Sequence, residues 1–481
     1  MFDLTTEIKQ LEQAREERAH SIIQIHLQMI VGRMPDMADR FQTVIDGSKT
    51  LKAASEPLRK ILVEQLVTVS DDMLAVPEYV EKNKSKQDML IFVGTHWRPM
   101  MHQVWHDFVK DCARMAGLTT EFLDDHNFML ELFANFAFAL SHHREQYVPK
   151  GLVWVNLQNG TLEIQSDGAV RLREHESDDY FTYVLPYSYL PEAKCPLWHE
   201  FLDKVMPEKE MQMLLAEYIG YCFTKDLKLE KMAVFYGGGA NGKSVATDVI
   251  AGILGECNVC HIDLEKLTTD ENQRSQCEGK LANISQENSQ GVSYSMLKTM
   301  VSGEPVMVKI LYKDPRLMYN YGKIIASYNT LPRTENTVGF FRRWLLFPFN
   351  VTIKREEMDP RLKDKLLKEA PGILNWVLEG LVRLNVNRQF TVSRSCEDAL
   401  EDYKISCNSA LRFLAERCVE AEDGRISLSE LFAEYNKFCC EDNVQKRFGK
   451  KQFAAQIESA GNHMFMIYNH KHYRLKIRSE M

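Results

Sequence analysis

The chain has 481 residues, 45% of them hydrophobic and 26% charged, with a formal net charge of -8 at pH 7. That length and composition describe a globular protein of two to four domains, each large enough to bury its own core, and exclude a disordered or fibrous chain. The acidic balance also excludes nucleic-acid binding driven by overall charge, so any such surface must be local.

The first residues, MFDLTTEIKQLEQAREERAH, place acids early and lack the basic, apolar, small-residue order of a signal peptide; no run of about 18 apolar residues occurs. A cytoplasmic protein without membrane contact is expected. The eleven cysteines are odd in number and scattered, which fits reduced thiols. Cys257-Asn258-Val259-Cys260-His261 matches the C-x-x-C-H of covalent haem attachment, a chemistry of exported proteins. Buried, reduced core cysteines are expected there instead. His142-His143 and His470-Lys471-His472 lack a second ligand pair at zinc-like spacing, so no metal cage is expected from them.

Residues 1 to about 80 read as helical, with Ile22, Ile23, Ile25, Leu27 and Ile30 clustered between charged flanks. EKNKSKQ at 81–87 reads as a polar linker. From MLIFVGTHWRPM to about Glu145 the pattern predicts a short strand and two helices, one ending at Gly117. KGLVWVNLQNGTLEI alternates apolar residues about Asn159-Gly160, a hairpin turn signal. EMQMLLAEYIGYCFT is a well-marked helix. From it to about residue 350 strands and helices alternate, which predicts a parallel sheet with helices on its faces.

FYGGGANGKSVATDVIAGILG, residues 235–255, opens that region. Met232 to Tyr236 suits a buried strand and Val245 to Leu254 has helical spacing, so the glycines lie between a strand and a helix N-terminus. Gly237, four residues, then Gly242-Lys243-Ser244 satisfies G-x-x-x-x-G-K-[ST]. Glycine permits close backbone approach, so the N–H groups of Gly237, Gly238, Gly239, Ala240, Asn241, Gly242, Lys243, Ser244 and Val245 and the helix dipole would face phosphate oxygens. Lys243 would reach the β and γ phosphates of ATP, and Ser244 would hold Mg2+. Downstream, KLANISQENS ends an apolar strand in Glu287, a candidate base for the attacking water and a contributor to the magnesium shell. An exposed strand-end glutamate is its bland reading. KIIASYNTLP ends a third strand in Asn329, whose amide would meet the γ phosphate or the lytic water; asparagine before a proline turn also serves purely local ends. GFFRRWLLFPF places Arg342 and Arg343 before an apolar strand. One of them entering a neighbouring subunit's nucleotide site would imply an oligomer.

Near the C-terminus, RISLSELFAEYNKFCCED and GKKQFAAQIESAG read as helices and MFMIYNHKHYRLKIR as two strands about Asn469, the order of a winged helix. Between 443 and 478 lie Lys446, Arg447, Lys450, Lys451, Lys471, Arg474, Lys476 and Arg478 against the single acid Glu458, a basic footprint suited to DNA backbone. A solvated protein-docking domain is the alternative.

GGGANGKS, KLANISQE, LKTMVSGEPVMVKILYKDP, SYNTLP and GFFRRW, in that order, resemble the superfamily 3 helicases, and more closely the phage and plasmid primase-helicase family that includes satellite-phage primases and poxvirus primase-helicases. The resemblance is strongest over about 150–390. It implies an ATP-driven ring, usually a hexamer, translocating 3′ to 5′ on single-stranded DNA at a phage or mobile-element fork in a bacterial or infected host cell. Lys243 and Glu287 fall on the catalytic motifs, Asn329 on the sensor, and Arg342 or Arg343 on the arginine finger. The segment from Gly303 to Tyr319 falls on a hairpin that enters the ring channel, with Lys309 and Lys313 as its DNA contacts. A lone Glu287 stands where many members carry two adjacent acids, which favours a base over a direct magnesium ligand. The first 90 residues are too few and too helical for a primase domain, so no primer synthesis is expected from this chain; a separate primase or polymerase could provide it. The expected α/β architecture has a helical region at 1–87, an α+β domain at 88–205, an AAA+-like P-loop NTPase core at 206–390 and a winged-helix-like domain at 391–481. An ATP-hydrolysing DNA-binding initiator or loader without processive unwinding is the second reading.

Overall fold

The computed structural model describes residues 17, 20–70, 72–76, 88–141, 149, 151–225, 227–286, 291–310, 314–332, 338–421, 424–442, 444, 447–459, 464–467 and 470–478. Two compact units divide the chain, Met1–Ile164 with Val170–Tyr189, and Gln165–Ala169 with Leu190–Met481.

In the first unit, helices α1 (residues 20–31), α2 (Ala38–Asp46) and α3 (Leu51–Ser70) precede an antiparallel sheet of β1 (Leu74–Ala75), β2 (Met89–Phe92) and β3 (Trp97–Met100). MLIFVGTHWRPM thus makes two strands rather than one, turning at Gly94, whose φ is +80°. Helices α4 (His102–Met115), α5 (Thr120–Leu123) and α6 (His126–Ala139) come next. One core joins Leu27, Leu58, Leu62 and Leu66 to Ile91, Trp105 and Phe136. The residues on either side of the division expected at 87 therefore share a core, because the i, i+4 leucines of α3 pack against α6 as well as against α2. The linker expected at 81–87 lies outside the described residues. A second sheet pairs β4 (Val153–Leu157), β5 (Gly160–Ile164) and β6 (Val170–Arg173). Leu157 pairs with Gly160, so the two-residue turn is Gln158-Asn159, one residue earlier than expected. Gly160 is needed as the first strand residue: a Cβ there would lie 2.2 Å from the Arg173 carbonyl oxygen.

The second unit begins with α7 (Pro196–Val205) and α8 (Lys209–Tyr221). Helix α7 is anchored within this second unit: the Glu369 carboxylate accepts from Leu197 N at 3.2 Å and Trp198 N at 3.1 Å. A remote acid thereby satisfies the open N–H groups of its first turn. The predicted parallel sheet is present. It comprises β7 (Met232–Tyr236), β8 (Val259–Cys260), β9 (Ala282–Gln286), β12 (Lys323–Tyr328) and β13 (Trp344–Pro348), in the order β13-β7-β12-β9-β8, with a separate antiparallel pair β10 (Val306–Val308) and β11 (Arg316–Met318). Met232 through Phe235 are buried, as a central strand covered on both faces requires. Helices α9 (Lys243–Leu254), α10 (Leu264–Thr269), α11 (Glu271–Ser275), α12 (Tyr294–Val301), α13 (Val338–Phe341), α14 (Leu362–Leu367), α15 (Ala370–Asn387) and α16 (Arg394–Cys407) surround it. Helices α8 and α15 are tied by the buried Glu217 carboxylate, which accepts from Arg383 Nε at 2.5 Å and from Thr391 N at 2.6 Å.

Lys323, at the start of β12, stands 4.2 Å from the centroid of the Tyr221 ring, and burial lowers its pKa to about 8. An unfolded lysine titrates near 10.4, so between those values the unfolded chain binds more protons and stability rises with pH. Below pH 8 the whole cost, on the order of 3 kcal/mol at most, is present. Lys323→Met is expected to raise stability at pH 7 and to flatten the rise between pH 8 and 10 in denaturant melts. A variant with the same pH slope as wild type would show that Lys323 is not its source.

The last segment has its own core of Phe413, Tyr435, Phe453 and Tyr473. It runs α17 (Ser409–Arg417), β14 (Cys418–Glu420), β15 (Ile426–Ser427), α18 (Leu428–Glu441), α19 (Lys450–Ser459), β16 (Met464–Ile467), β17 (His470–Tyr473) and β18 (Leu475–Ile477). Ser427 and Glu430 form a capping box that starts α18. The two helices are succeeded by three strands rather than two, β18 leaving to pair with β14.

Candidate functional site

The loop from Gly237 to Gly242 leaves the carboxyl end of β7 and enters α9, as its glycine spacing requires. Gly237 has φ +155° and a Cβ there would meet the Phe349 carbonyl oxygen at 2.3 Å; Gly242, the residue before α9, has φ +88°. Neither position accommodates another residue without strain. Ala240 also takes a left-handed φ of +51°. Beyond Gly238 and Gly239 the space is open, and both are exposed, as are Ala240 and Ser244; Val245 is half-buried in the first turn of α9. The Lys243 side chain is buried and folds back on the loop, donating from Nζ to Gly237 O at 2.5 Å and Asn241 Oδ1 at 3.2 Å. Burial holds its pKa below the ordinary lysine range. First-turn amides without intrahelical acceptors, the helix dipole and one ammonium converge on the open side of the loop, a donor set that suits a polyphosphate.

Register brings the other motifs to the same edge. Tyr236 pairs with Tyr328 and Gln286 with Ser327, so the carboxyl ends of β7, β9 and β12 lie side by side. Asn329 is the first residue past β12 and is exposed. Glu287 lies outside the described residues; Gln286, immediately before it, donates to Thr247 Oγ1 of α9 at 3.4 Å. Among the described residues, no group of three or more His, Cys, Asp or Glu forms a metal site by itself.

The two arginines stand at the opposite edge. Trp344 pairs with Met232 in parallel register, so Arg342 and Arg343 precede the sheet whereas Gly237 comes after it. Five strand residues at about 3.3 Å each separate those ends by roughly 16 Å. The structure also distinguishes the pair. Arg343, with a side chain 14% exposed, donates to Ser302 Oγ at 2.8 Å and Gly339 O at 2.5 Å and lies 3.2 Å from Glu230. Arg342 is 60% exposed and meets Glu230 at 3.0 Å.

The β10–β11 hairpin exposes Met307, Leu317 and Tyr319 along with Lys309. The strand pair is held by Arg316, which forms two bonds with the Glu278 carboxylate, and by buried Arg274, which donates to Leu267 O, Thr268 O and Met307 O. Lys313 lies outside the described residues. In the last segment Lys450 and Lys451 are exposed at the start of α19, and Lys450 donates to Ser429 Oγ at 2.8 Å. Lys471 is spent on Glu458 at 2.6 Å. The basic footprint is thereby reduced by one charge. Lys446 lies outside the described residues. Cys257 is exposed, unlike Cys260, which departs from the expectation of two buried thiols.

Three features at the site have no counterpart among the sequence expectations. Glu230, left-handed at φ +53°, is the shared partner of both arginines across more than a hundred positions, and nothing local marks it. Lys231 donates to Arg342 O at 2.5 Å, and burial together with the Arg342 charge lowers its pKa. Asn241 is expected to act through its backbone N–H, yet here its side chain makes the bonds. The asparagine between two glycines is the one available signal.

Comparison with known proteins finds two matched regions. Residues 94–207 match the family described as D5 N terminal like, and residues 235–343 match the family of unknown function DUF5906. Protein L207/L206 of Acanthamoeba polyphaga mimivirus, named a candidate helicase, is 23% identical over 224 residues, 44% of this chain and 23% of that protein. Protein C962R of African swine fever virus, named a candidate primase, is 23% identical over 338 residues, 63% of this chain and 35% of that protein. The matched stretches thus span about a third or less of these relatives. Among solved structures, an A-form apo structure of the NrS-1 C-terminal region is 12% identical, covers 87% of this chain and 99% of that chain, and has a TM-score of 0.49. A second apo structure of that region, also 12% identical, covers 86% and 98% with a TM-score of 0.48. The two matched regions and the viral relatives together support kinship with primase-helicases. No helix among the described residues is long and apolar enough to cross a membrane.

Proposed function

We propose that this chain is an ATP-driven DNA helicase of the superfamily 3 type, forming a ring, taken as a hexamer from the resemblance, that tracks 3′ to 5′ along single-stranded DNA in phage or mobile-element replication. The observation that carries this reading is the split of one sheet: a phosphate-type loop at its carboxyl edge and an exposed Arg342 at its amino edge. An arginine that far from its own loop serves the loop of another copy, which is the geometry of a ring with shared sites. In this reading the loop from Gly237 to Val245 and Lys243 hold the triphosphate, and Ser244 and Glu287 belong to the shell of the magnesium ion, which neutralises phosphate charge. Glu287 is the base and Asn329 the sensor. Lys309 and Lys313 grip single-stranded DNA in the channel, and Lys450 and Lys451 meet the duplex of a fork. Relatives named candidate helicase and candidate primase support the setting in DNA replication; this reading places the chain in the cytoplasm of the host cell. A separate primase or polymerase supplies primers.

A strand-displacement assay on a forked duplex tests the reading, with wild type expected to release the strand and Lys243→Ala to fail. DNA-stimulated ATP hydrolysis without displacement would replace it with the initiator or loader. Lys309→Ala is expected to keep hydrolysis without DNA and to lose most of its stimulation by single strands; unchanged stimulation would remove Lys309 from the DNA path.

A further inference from the structure

Lys243 is held by acceptors that belong to its own loop, and one of them does more than accept. Asn241 is buried, 4% exposed. The Oδ1 half of its amide takes the Lys243 ammonium at 3.2 Å, and the Nδ2 half donates to Phe349 O, just past β13, at 3.1 Å. Beside it, Ile353 N donates to Ala240 O at 2.7 Å, a second tie between the loop and the chain after β13. The amide occupies a slot that exists only because residue 237 is glycine: a Cβ there would lie 2.5 Å from Asn241 Nδ2. Only a short primary amide supplies both halves. Aspartate lacks the donor, alanine lacks both, and glutamine is one methylene too long for a closed slot.

Resting on the nucleotide reading of this loop, we infer that Asn241 is a positioning residue that parks the Lys243 ammonium on the loop when no phosphate is bound and releases it to the phosphates of an incoming nucleoside triphosphate. The neutrality of the amide is what allows release. An ammonium bonded to a neutral oxygen gains by exchanging it for a phosphate oxygen, because charge-assisted bonds are roughly twice as strong. A carboxylate at the same place would keep the lysine. The Phe349 tie fixes where Oδ1 stands, so the parked position is set by the sheet and not by the loop alone.

The test is amine labelling of the nucleotide-free protein with isotopic acetic anhydride across a pH series, read lysine by lysine by mass spectrometry alongside a thermal melt. Loss of one such bond corresponds to about a tenfold change in exposure of the amine. Asn241→Ala is expected to raise Lys243 labelling about tenfold while Lys450 and Lys451 label as in wild type. Asn241→Asp is expected to act oppositely, lowering Lys243 labelling, since a carboxylate oxygen holds the ammonium more strongly than an amide oxygen. A residue with only a structural role would move both variants in the same direction. Labelling of Lys243 that is unchanged in Asn241→Ala, or that rises in both variants, overturns the inference; should the alanine variant fail to fold, the aspartate variant decides alone. In wild type, ATP is expected to protect Lys243. Absence of protection would sink the nucleotide reading and leave the parked lysine standing, so the two failures are distinguishable.

Discussion

Lys243→Ala is expected to lower kcat for ATP hydrolysis by about 10²–10³, the loss produced by removing one preorganised donor from developing charge. Lys243 stands on a helix N-terminus, buried and below the ordinary lysine pKa, so its charge acts where water does not screen it. The change is expected to leave the fold intact, because Asn241 Oδ1 keeps the Lys243 backbone N–H at 3.5 Å and Nδ2 keeps Phe349 O at 3.1 Å. Steady-state hydrolysis with a matched thermal melt measures this. Activity within tenfold of wild type would mean the loop is a glycine turn with no phosphate role.

Arg342→Ala is expected to reduce hydrolysis by about 10³–10⁵, the range for an arginine finger, without lowering Tm. Arg343→Ala is expected to lower Tm instead, since it removes bonds to Ser302 and Gly339 from a side chain that is 14% exposed. The separation rests on exposure: among the described residues, the Arg342 guanidinium has the Glu230 carboxylate to leave, at 3.0 Å, and an exposed ion pair contributes little, about 0–1 kcal/mol. Because the arginine and the loop occupy opposite edges of the sheet, mixing Arg342→Ala with Lys243→Ala subunits should restore part of the activity. Each mixed interface can then pair an intact loop with an intact arginine. Mixtures as inactive as either variant alone would exclude a shared site.

Much of the core was legible because its signals are local. Met232–Tyr236 is an unbroken apolar run, Gly237 and Gly242 occupy positions where the backbone demands glycine, and the alternation to residue 350 carries the parallel sheet. Local signals also misplaced things by small steps. Asn159-Gly160 marked a turn correctly but one residue late, because the close approach of Arg173 requires glycine at the strand start and not in the turn. The boundary placed at 87 rested on charge in 81–87, whereas the core that joins α3 to α6 depends on contacts between segments far apart in sequence.

The sequence by itself determined the strand, loop and helix that make the candidate phosphate site, and the order of the motifs downstream of it, since each is written in residues adjacent along the chain. Only the tertiary structure decided that Arg342 is exposed and Arg343 is spent, that Glu230 holds both, and that Asn241 ties Lys243 to Phe349. Those pairings span about a hundred positions, and a side chain's availability depends on which partners the sheet brings to it. The register of parallel strands, set by burial on both faces, puts the phosphate loop at one edge and the arginines at the other.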